Sequence, residues 1–457
     1  MAGFFQIRTF GCQMNQHDAE KMSNLLYHAG LRPAEAGGRP DLVVVHTCSI
    51  REKAEQKLYS ELGALLARKR AEPDLVVGVG GCVAQQEGAE LLRRFPALDF
   101  VFGAQHLDQL PAMVANARAR VRDLRVDHGG DPQARFDLPE LHPEYTSQTP
   151  GRAFVTVMEG CDLFCTYCVV PRTRGREVSR SSRAILEEVR TLADRGVLEV
   201  TLLGQTVNAY GRRRPGRVDG EIPFGELIRR VGAVAGIQRV RFTSPHPSFV
   251  TPDLLCAYAN VPELCPHIHL PVQSGSSRVL AAMNRRYTRD GYLQVIAALR
   301  RARPDIAITT DIIVGFPGET RGEFDETLEL LGQVAFVDSF SFKYSARPGT
   351  PAERRRLVGV EPREAQERLE EVQSVQRVLT LAAHERRVGE VAPVLVEGAS
   401  RRGGQLSGRG PYNRIVNFAT ARPVRPGQVC DVRITAASRH SLLGAAVSTQ
   451  PLELPLI

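Results

Sequence analysis

The feature that most constrains this chain is a repeated unit in which a short apolar run is followed by a charged or amphipathic stretch of helical length. In the first hundred residues FFQIRTF, DLVVVHTC and LVVGVGGC alternate with DAEKMSNLLYHAG and with the charged stretch from Arg51 to Ala71. This βαβ rhythm requires parallel strands joined by helical crossovers, and it puts ligand sites beyond the carboxyl ends of the strands. A second series, AFVTVMEG, LEVTLLG, RVRFTS, HIHLPV, IAITTDIIVG and SFSFKYSA, has six such runs with helical stretches between them. Six parallel strands in succession predict a full or partial (β/α) barrel with its chemistry at the carboxyl-terminal rim. From Val391 the pattern changes to short β-type runs separated by Gly and Pro, such as APVLVEGA, RIVNFA and QVCDVRITAAS, which predicts a small β-barrel.

The expected fold class is therefore α/β, with an amino-terminal parallel α/β domain over 4–120, a barrel over 147–377 and a small β-barrel over 378–448. The charged, Pro- and Gly-containing stretch 121–146 reads as a linker. Leu369, Val372, Val375, Leu379 and Ala382 recur at helical spacing, so the segment that carries them is expected to be a packed connecting helix.

With 43% hydrophobic and 24% charged residues the 457-residue chain has the composition of a globular protein. It has no apolar run long enough to span a bilayer, and MAGFFQIRTFGC lacks the basic and apolar regions of a signal peptide. A cytoplasmic chain without a membrane attachment is expected. In a reducing compartment nine cysteines are metal ligands or free thiols before they are disulfides. The net charge of +8 favours a polyanionic partner, and residues 391–457 hold eight arginines against three acids. That unit reads as an RNA clamp, with Arg409, Arg414, Arg433 and Arg439 as candidate phosphate contacts.

Cys161, Cys165 and Cys168 follow the strand-like run AFVTVMEG within eight residues. Three thiolates hold three irons of a [4Fe–4S] cube and leave the fourth open to a small molecule. A structural zinc site would need a fourth ligand at standard spacing, and none follows. Cys12, Cys48 and Cys82 each close an apolar run, in RTFGC, VVHTC and VGVGGC. Equivalent strand ends of a parallel sheet meet at one rim, so these three are candidates for a second three-thiolate cluster. Any one of them alone would read more simply as a small core residue. Cys256, Cys265 and Cys430 show no ligand spacing.

The triplet with the aromatic Tyr167 before its last Cys resembles the radical S-adenosylmethionine superfamily. Two triplets in this order, followed by a basic β-barrel, resemble its methylthiotransferase family, whose parts are an amino-terminal domain, a radical domain and a TRAM domain. The stretches GCQMNQHD, HTCSIREKAEQK, CTYCVVPRTRGREVSR, LLGQTVNAYG, HIHLPVQSGSSRVLAAMNRRYT, TDIIVGFPGE and SFKYSARPGTPA carry the similarity. Arg172 and Thr206 stand where the family pattern has Tyr and Asn. The resemblance implies two [4Fe–4S] clusters and S-adenosyl-L-methionine, which the open iron chelates and one electron cleaves to a 5′-deoxyadenosyl radical. It also implies methylthiolation of N6-dimethylallyl (isopentenyl) adenosine at tRNA position 37, beside the anticodon. A one-electron donor such as flavodoxin or ferredoxin is implied as well, and the chain is expected to be a monomer. Close relatives modify a ribosomal protein or threonylcarbamoyl-adenosine; a non-catalytic metal-containing RNA-binding protein is the alternative of another class.

Beyond the six cysteines, the resemblance puts Tyr167, Gly204 and Gln205 beside the cofactor, Gly204 and Gln205 reading equally as a strand-ending turn. Gln273, Ser274 and Asp311 are polar groups at later strand ends, suited to a ribose or carboxylate, although polar residues at a barrel rim often only cap helices. Gly315 and Gly318 form a short glycine pattern of low specificity, and His246, His267 and His269 read as satisfied core or rim histidines. No catalytic residue is assigned beyond the cluster ligands.

Overall fold

The runs Leu42–Thr47 and Val76–Gly81 are buried along their whole length. Strands covered on both faces belong in the middle of a parallel sheet. In the computed structural model, which describes residues 3–447 apart from 36, 50–51, 128–132, 137–138, 146–148, 212–221, 356–357 and 402, they do. The amino-terminal sheet has the order β2-β1-β3-β4-β5-β6 with every pair parallel. Its strands are β1 (Phe4–Phe10), β2 (Arg32–Pro33), β3 (Leu42–Thr47), β4 (Val76–Gly81), β5 (Phe100–Phe102) and β6 (Asp123–Arg125). Alternate valines of β3 enter opposite cores: Val44 packs with Met22, Phe100 and Phe102, whereas Val43 and Val45 pack with Leu58, Leu62 and Val83.

β6 corrects part of the linker expectation for 121–146. As an edge strand it needs no apolar alternation, and it is held by parallel pairing with β5, by Arg125 on Asp123 at 2.8 Å and by Asn116 Nδ2 donating to Asp123 at 2.9 Å. Further along, the carbonyls of Pro139 and Glu140 accept from Asn24, which ties this stretch to the helix Gln13–His28. Residues 128–132 and 137–138 of the linker lie outside the described residues.

The central domain contains β7 (Arg152–Thr156), a two-residue antiparallel pair β8 (Met158–Glu159) and β9 (Val178–Ser179), then β10 (Glu199–Leu203), β11 (Arg239–Phe242), β12 (His267–His269), β13 (Ala307–Val314) and β14 (Asp338–Lys343). Two parallel three-stranded sheets, β7-β10-β11 and β12-β13-β14, are joined by a parallel bridge between Val240 and Leu264. Among the described residues β14 and β7 do not pair, so the six strands form a partial barrel open along one side. Val155, Val200, Leu202, Val240, Ile308 and Ile312 turn outward into the core under the helices.

The helix Pro362–Glu385 runs unbroken through the boundary expected at 377/378, packing Val372, Leu369, Val375 and Leu379 on that core. It leads into a closed barrel, β15-β16-β17-β19-β18, built from β15 (Val391–Ala399), β16 (Leu406–Arg409), β17 (Ile415–Ala419), β18 (Val429–Ala437) and β19 (Leu442–Ala446). Its core is Val394, Val396, Val416, Phe418, Val432, Ile434 and Leu442. The small barrel sits against the amino-terminal ends of the central strands. Arg239 and Arg241 of β11 donate to the carbonyls of Pro393, Arg409, Gly410 and Pro411, and Arg152 of β7 pairs with Glu397. Among the described residues, no helix is long and apolar enough to cross a membrane.

Candidate active site

Register brings the amino-terminal cysteines together. Phe10 is level with Thr47 and Thr47 with Gly81, so Cys12, Cys48 and Cys82 leave neighbouring strands at the same rim. Cys48 and Cys82 are buried and Cys12 is half-buried. The Cys12 thiol is lowered to about 6 by hydrogen bonding to Cys48, against the opposing effect of burial. Its sulfur also lies 3.2 Å from Asn15 Oδ1. Gly11 permits this approach: a Cβ there would stand 2.7 Å from Cys48 Cβ.

The second triplet wraps the loop after β8. Gly160, at φ +80°, turns the chain into it, and a Cβ at that position would lie 2.0 Å from the carbonyl oxygen of Arg176. Cys161 and Cys165 are buried beside Leu163, with Cys168, Tyr167, Val170 and Phe249 packed around them. Cys161 Sγ is 3.1 Å from Thr206 Oγ1, and the buried Arg285 points Nη1 at Cys165 Sγ from 3.5 Å. Burial, then the neighbouring Cys165, pushes the Cys168 thiol up to about 12, and burial likewise raises Cys161. Crowded buried thiols of this kind ionise readily only around a cation, and coordination to a metal deprotonates them outright. The donor set therefore fits an iron–sulfur cluster. Among the described residues no three His, Cys, Asp or Glu side chains converge closely enough for one ion, but the thiolates of a cube each serve a different iron.

Other expected site residues gather at the same rim. Gln205 Oε1 accepts from the Gly160 backbone N–H, and a Cβ on Gly204 would come within 2.5 Å of Met158. Gln273 adopts φ +76°, and its backbone joins β13 through Asp311 and Ile313. Ser274 Oγ accepts from the Ser276 N–H in a local turn. Asp311 pairs with His269 Nε2 at 3.3 Å on the inward face of β13. His246 and His267 are hydrogen-bonded within the fold, to Ser248 N–H and Thr309 Oγ1.

The amino-terminal cysteine rim touches the central domain. Cys12 and Met14 pack on Phe154 of β7 and Leu203 of β10, residues that alternate with the outward Val155 and Leu202. The amino-terminal rim thus abuts the inner wall of the partial barrel. Three family models match in matching order: "Uncharacterized protein family UPF0004" over residues 5–103, "Radical SAM superfamily" over 155–331 and "TRAM domain" over 385–447. A tRNA-2-methylthio-N(6)-dimethylallyladenosine synthase of Geobacter metallireducens is 50% identical over 96% of this chain and 97% of its own. One of Nitrosospira multiformis is 45% identical over 98% and 94%. The chain belongs to the tRNA-2-methylthio-N(6)-dimethylallyladenosine synthase family. It is a radical S-adenosylmethionine enzyme, with S-adenosylmethionine and [4Fe–4S] clusters as its cofactors.

Solved structures share the fold at low identity. The radical S-adenosylmethionine methyltransferase TsrM of Kitasatospora setae, with cobalamin and a [4Fe-4S] cluster bound, aligns at TM-score 0.57 and 15% identity over 77% of each chain. The cobalamin-dependent S-adenosylmethionine radical enzyme OxsB aligns at TM-score 0.52 and 12% identity over 82% of this chain and 56% of its own.

In this synthase several residues join the site that sequence reasoning had not singled out. Arg174, Asp18 and His46 form a buried chain: Asp18 Oδ2 accepts from Arg174 and stands 3.3 Å from His46 Nε2. Arg174 and Asp18 lie inside the stretches TRGREVSR and GCQMNQHD, so the motifs contained them while their pairing across 156 residues did not show. Phe340 and Phe342 of β14 are 52% and 38% exposed, and the Phe340 ring stands edge-on to His269 at 5.9 Å. They extend the inward face that carries Asp311, along the open side of the barrel.

The four arginines divide. Arg414 is tied to Asp338 of β14 at 2.8 Å and Arg409 to Glu397 at 3.0 Å, so both charges are engaged where the two barrels meet. Arg433 and Arg439 are exposed, Arg433 donating to the Gly389 carbonyl at 3.2 Å.

Proposed function

We propose that the chain converts N6-(dimethylallyl)adenosine at position 37 of tRNA to its 2-methylthio derivative, acting as a cytoplasmic monomer supplied with electrons by a protein such as flavodoxin or ferredoxin. The observation that carries this reading is the packing of the Cys12 rim on Phe154 and Leu203, which joins the amino-terminal domain to the strands of the radical domain. Carbon 2 of the purine carries a hydrogen that no side-chain base removes usefully near neutral pH. When bound, S-adenosylmethionine at the Cys161 triplet would supply hydrogen abstraction from carbon 2, and a second molecule would supply the methyl group of a sulfide attached to the cluster at the Cys12 triplet, the methylthio group then replacing that hydrogen.

The rest is positioning by the chain. Cys161, Cys165 and Cys168 hold one cluster, with Thr206 and Arg285 directed at their sulfurs. Tyr167, Gly204, Gln205, Gln273 and Ser274 surround the place of the cofactor, and Asp311, anchored by His269, offers a carboxylate to a hydroxyl. Cys12, Cys48 and Cys82 hold the other cluster. Phe340 and Phe342 present an apolar wall matched to a dimethylallyl group. An anticodon-loop base reaches such a site unstacked, which costs less in a loop than in a duplex. Arg433 and Arg439 are placed to hold phosphates.

The test is anaerobic reconstitution with isopentenylated tRNA and mass analysis of its nucleosides. Cys161→Ala is expected to abolish cofactor cleavage, whereas Cys12→Ala keeps cleavage and loses the methylthio product. A methylthio adduct on a ribosomal protein instead of the tRNA overturns the substrate.

A further inference from the structure

Around the Cys12, Cys48 and Cys82 rim, polar atoms that a folded interior normally satisfies are left over. Asn15 Nδ2, Thr47 Oγ1, Ser49 Oγ and Arg174 Nη1 are all buried and have no hydrogen-bond partner among the described residues. Each can donate, and a buried donor left without an acceptor is destabilising until one answers it. A sulfur-rich anion suits them, because it has many lone pairs and because one of the donors is the second nitrogen of a guanidinium that is 2% exposed and already held by Asp18.

Arg174 is the least expected of the four, since it does not come from the amino-terminal domain. It lies six residues beyond Cys168, just after the helix Val170–Thr173, which packs on the helix Cys82–Glu87. One nitrogen of Arg174 is fixed by Asp18 Oδ2, and Asp18 is itself fully buried against His46. The thiols of Cys82 and Cys12 lie within electrostatic reach of the same guanidinium. Asn15 lies against the same cysteines, its Oδ1 accepting from Cys12 Sγ at 3.2 Å.

We infer that Arg174 and Asn15 are positioning residues that hydrogen-bond the anionic sulfur held at the Cys12–Cys48–Cys82 site, so that the radical half of the enzyme supplies a charge to the cluster of the other half. This rests on the reading of those cysteines as a cluster site. A cation fixed beside an anionic cluster stabilises its reduced, more negative form and raises its reduction potential, as hydrogen bonds to cluster sulfurs also do.

The test uses the full chain in a Cys161→Ala, Cys165→Ala, Cys168→Ala background, reconstituted anaerobically so that only the amino-terminal cluster forms. Arg174→Met is expected to shift the cluster's midpoint potential to more negative values and Asn15→Ala to shift it the same way by less, while Arg174→Lys restores most of the value. Loss of bound iron in Arg174→Met that Arg174→Lys recovers supports the same role. Unchanged potentials with iron retained in both Arg174→Met and Asn15→Ala overturn it. A background chain with Arg174 intact that takes up no iron overturns the cluster reading as well, and so separates the two failures. In the enzyme with all six cysteines, Arg174→Met is expected to lower methylthiolation at least tenfold while cofactor cleavage persists.

Discussion

At the scale of single residues, Gly160 and His246 show how the chain fixes its rim. Gly160 combines a left-handed φ with a contact that admits no side chain, because the atom it would strike is backbone. Gly160→Ala is expected to lower stability by more than about 1 kcal/mol and to reduce iron uptake at the Cys161 triplet, checked by thermal melts and iron analysis. His246 is buried, its Nδ1 accepts from the Ser248 N–H at 3.2 Å, and burial followed by Arg285 and Arg286 holds its pKa down to about 2. The folded ring therefore stays neutral where the unfolded ring, with a pKa of about 6.5, takes a proton. Stability is unaffected above that value and is lost as pH falls below it, at up to about 1.4 kcal/mol per pH unit. His246→Gln is expected to flatten denaturant-derived stability between about pH 6 and 4; an unchanged slope excludes the ring as its source.

At the scale of elements, the long helix Pro362–Glu385 carries a group that its hydrophobic pattern conceals. Arg368 is buried against Glu319 Oε1 at 2.7 Å, also donates to Glu364, and lies over the Phe324 ring at 5.5 Å. Removing one partner of a buried pair leaves the other charge uncompensated, so Arg368→Ala is expected to cost about 3–5 kcal/mol in chemical denaturation. Arg368→Ala with Glu319→Gln is expected to recover part of that loss. Helical periodicity revealed Val372 and its neighbours because burial of apolar residues repeats every turn. It could not reveal Arg368, whose burial depends on a carboxylate 49 residues away. β6 escaped for a related reason: an edge strand of Asp, Leu and Arg has no alternation to detect. Phe340 and Phe342 do alternate in SFSFKYS, but alternation marks a face without saying that the face lines an open cavity.

At the scale of the whole molecule, the small barrel closes one end of the partial barrel while the cysteine rim occupies the other. Glu199 stands 3.1 Å from Arg241 and 3.6 Å from Arg239, orienting both guanidinium groups toward the carbonyls of the small barrel. Arg414 on Asp338 and Tyr412 on Asp305 at 2.9 Å strengthen the same seam. The salt dependence of tRNA binding is expected to belong mainly to the exposed arginines, whose charges have no acid partner in that seam among the described residues. Affinity is expected to fall steeply with ionic strength, and Arg433→Gln or Arg439→Gln to lower the slope of log K against log salt by about 1 each. A slope unaltered by both removes these residues from the phosphate contacts.

The sequence by itself determined the three-part architecture and marked the six candidate cysteines, since period and turn residues, and for Cys161, Cys165 and Cys168 the spacing, are written in neighbouring positions. It also held Cys12, Cys48 and Cys82 at strand ends, where a parallel sheet leaves few other arrangements. Tertiary structure alone decided that Arg174 reaches from the radical half to the amino-terminal rim, that Arg414 is a structural tie, and that Phe340 and Phe342 face the open side of the barrel. Those outcomes depend on which surfaces meet after folding. A charge becomes a bridge, a cluster partner or an RNA contact through burial and through the group opposite it, and neither is encoded in the residues beside it.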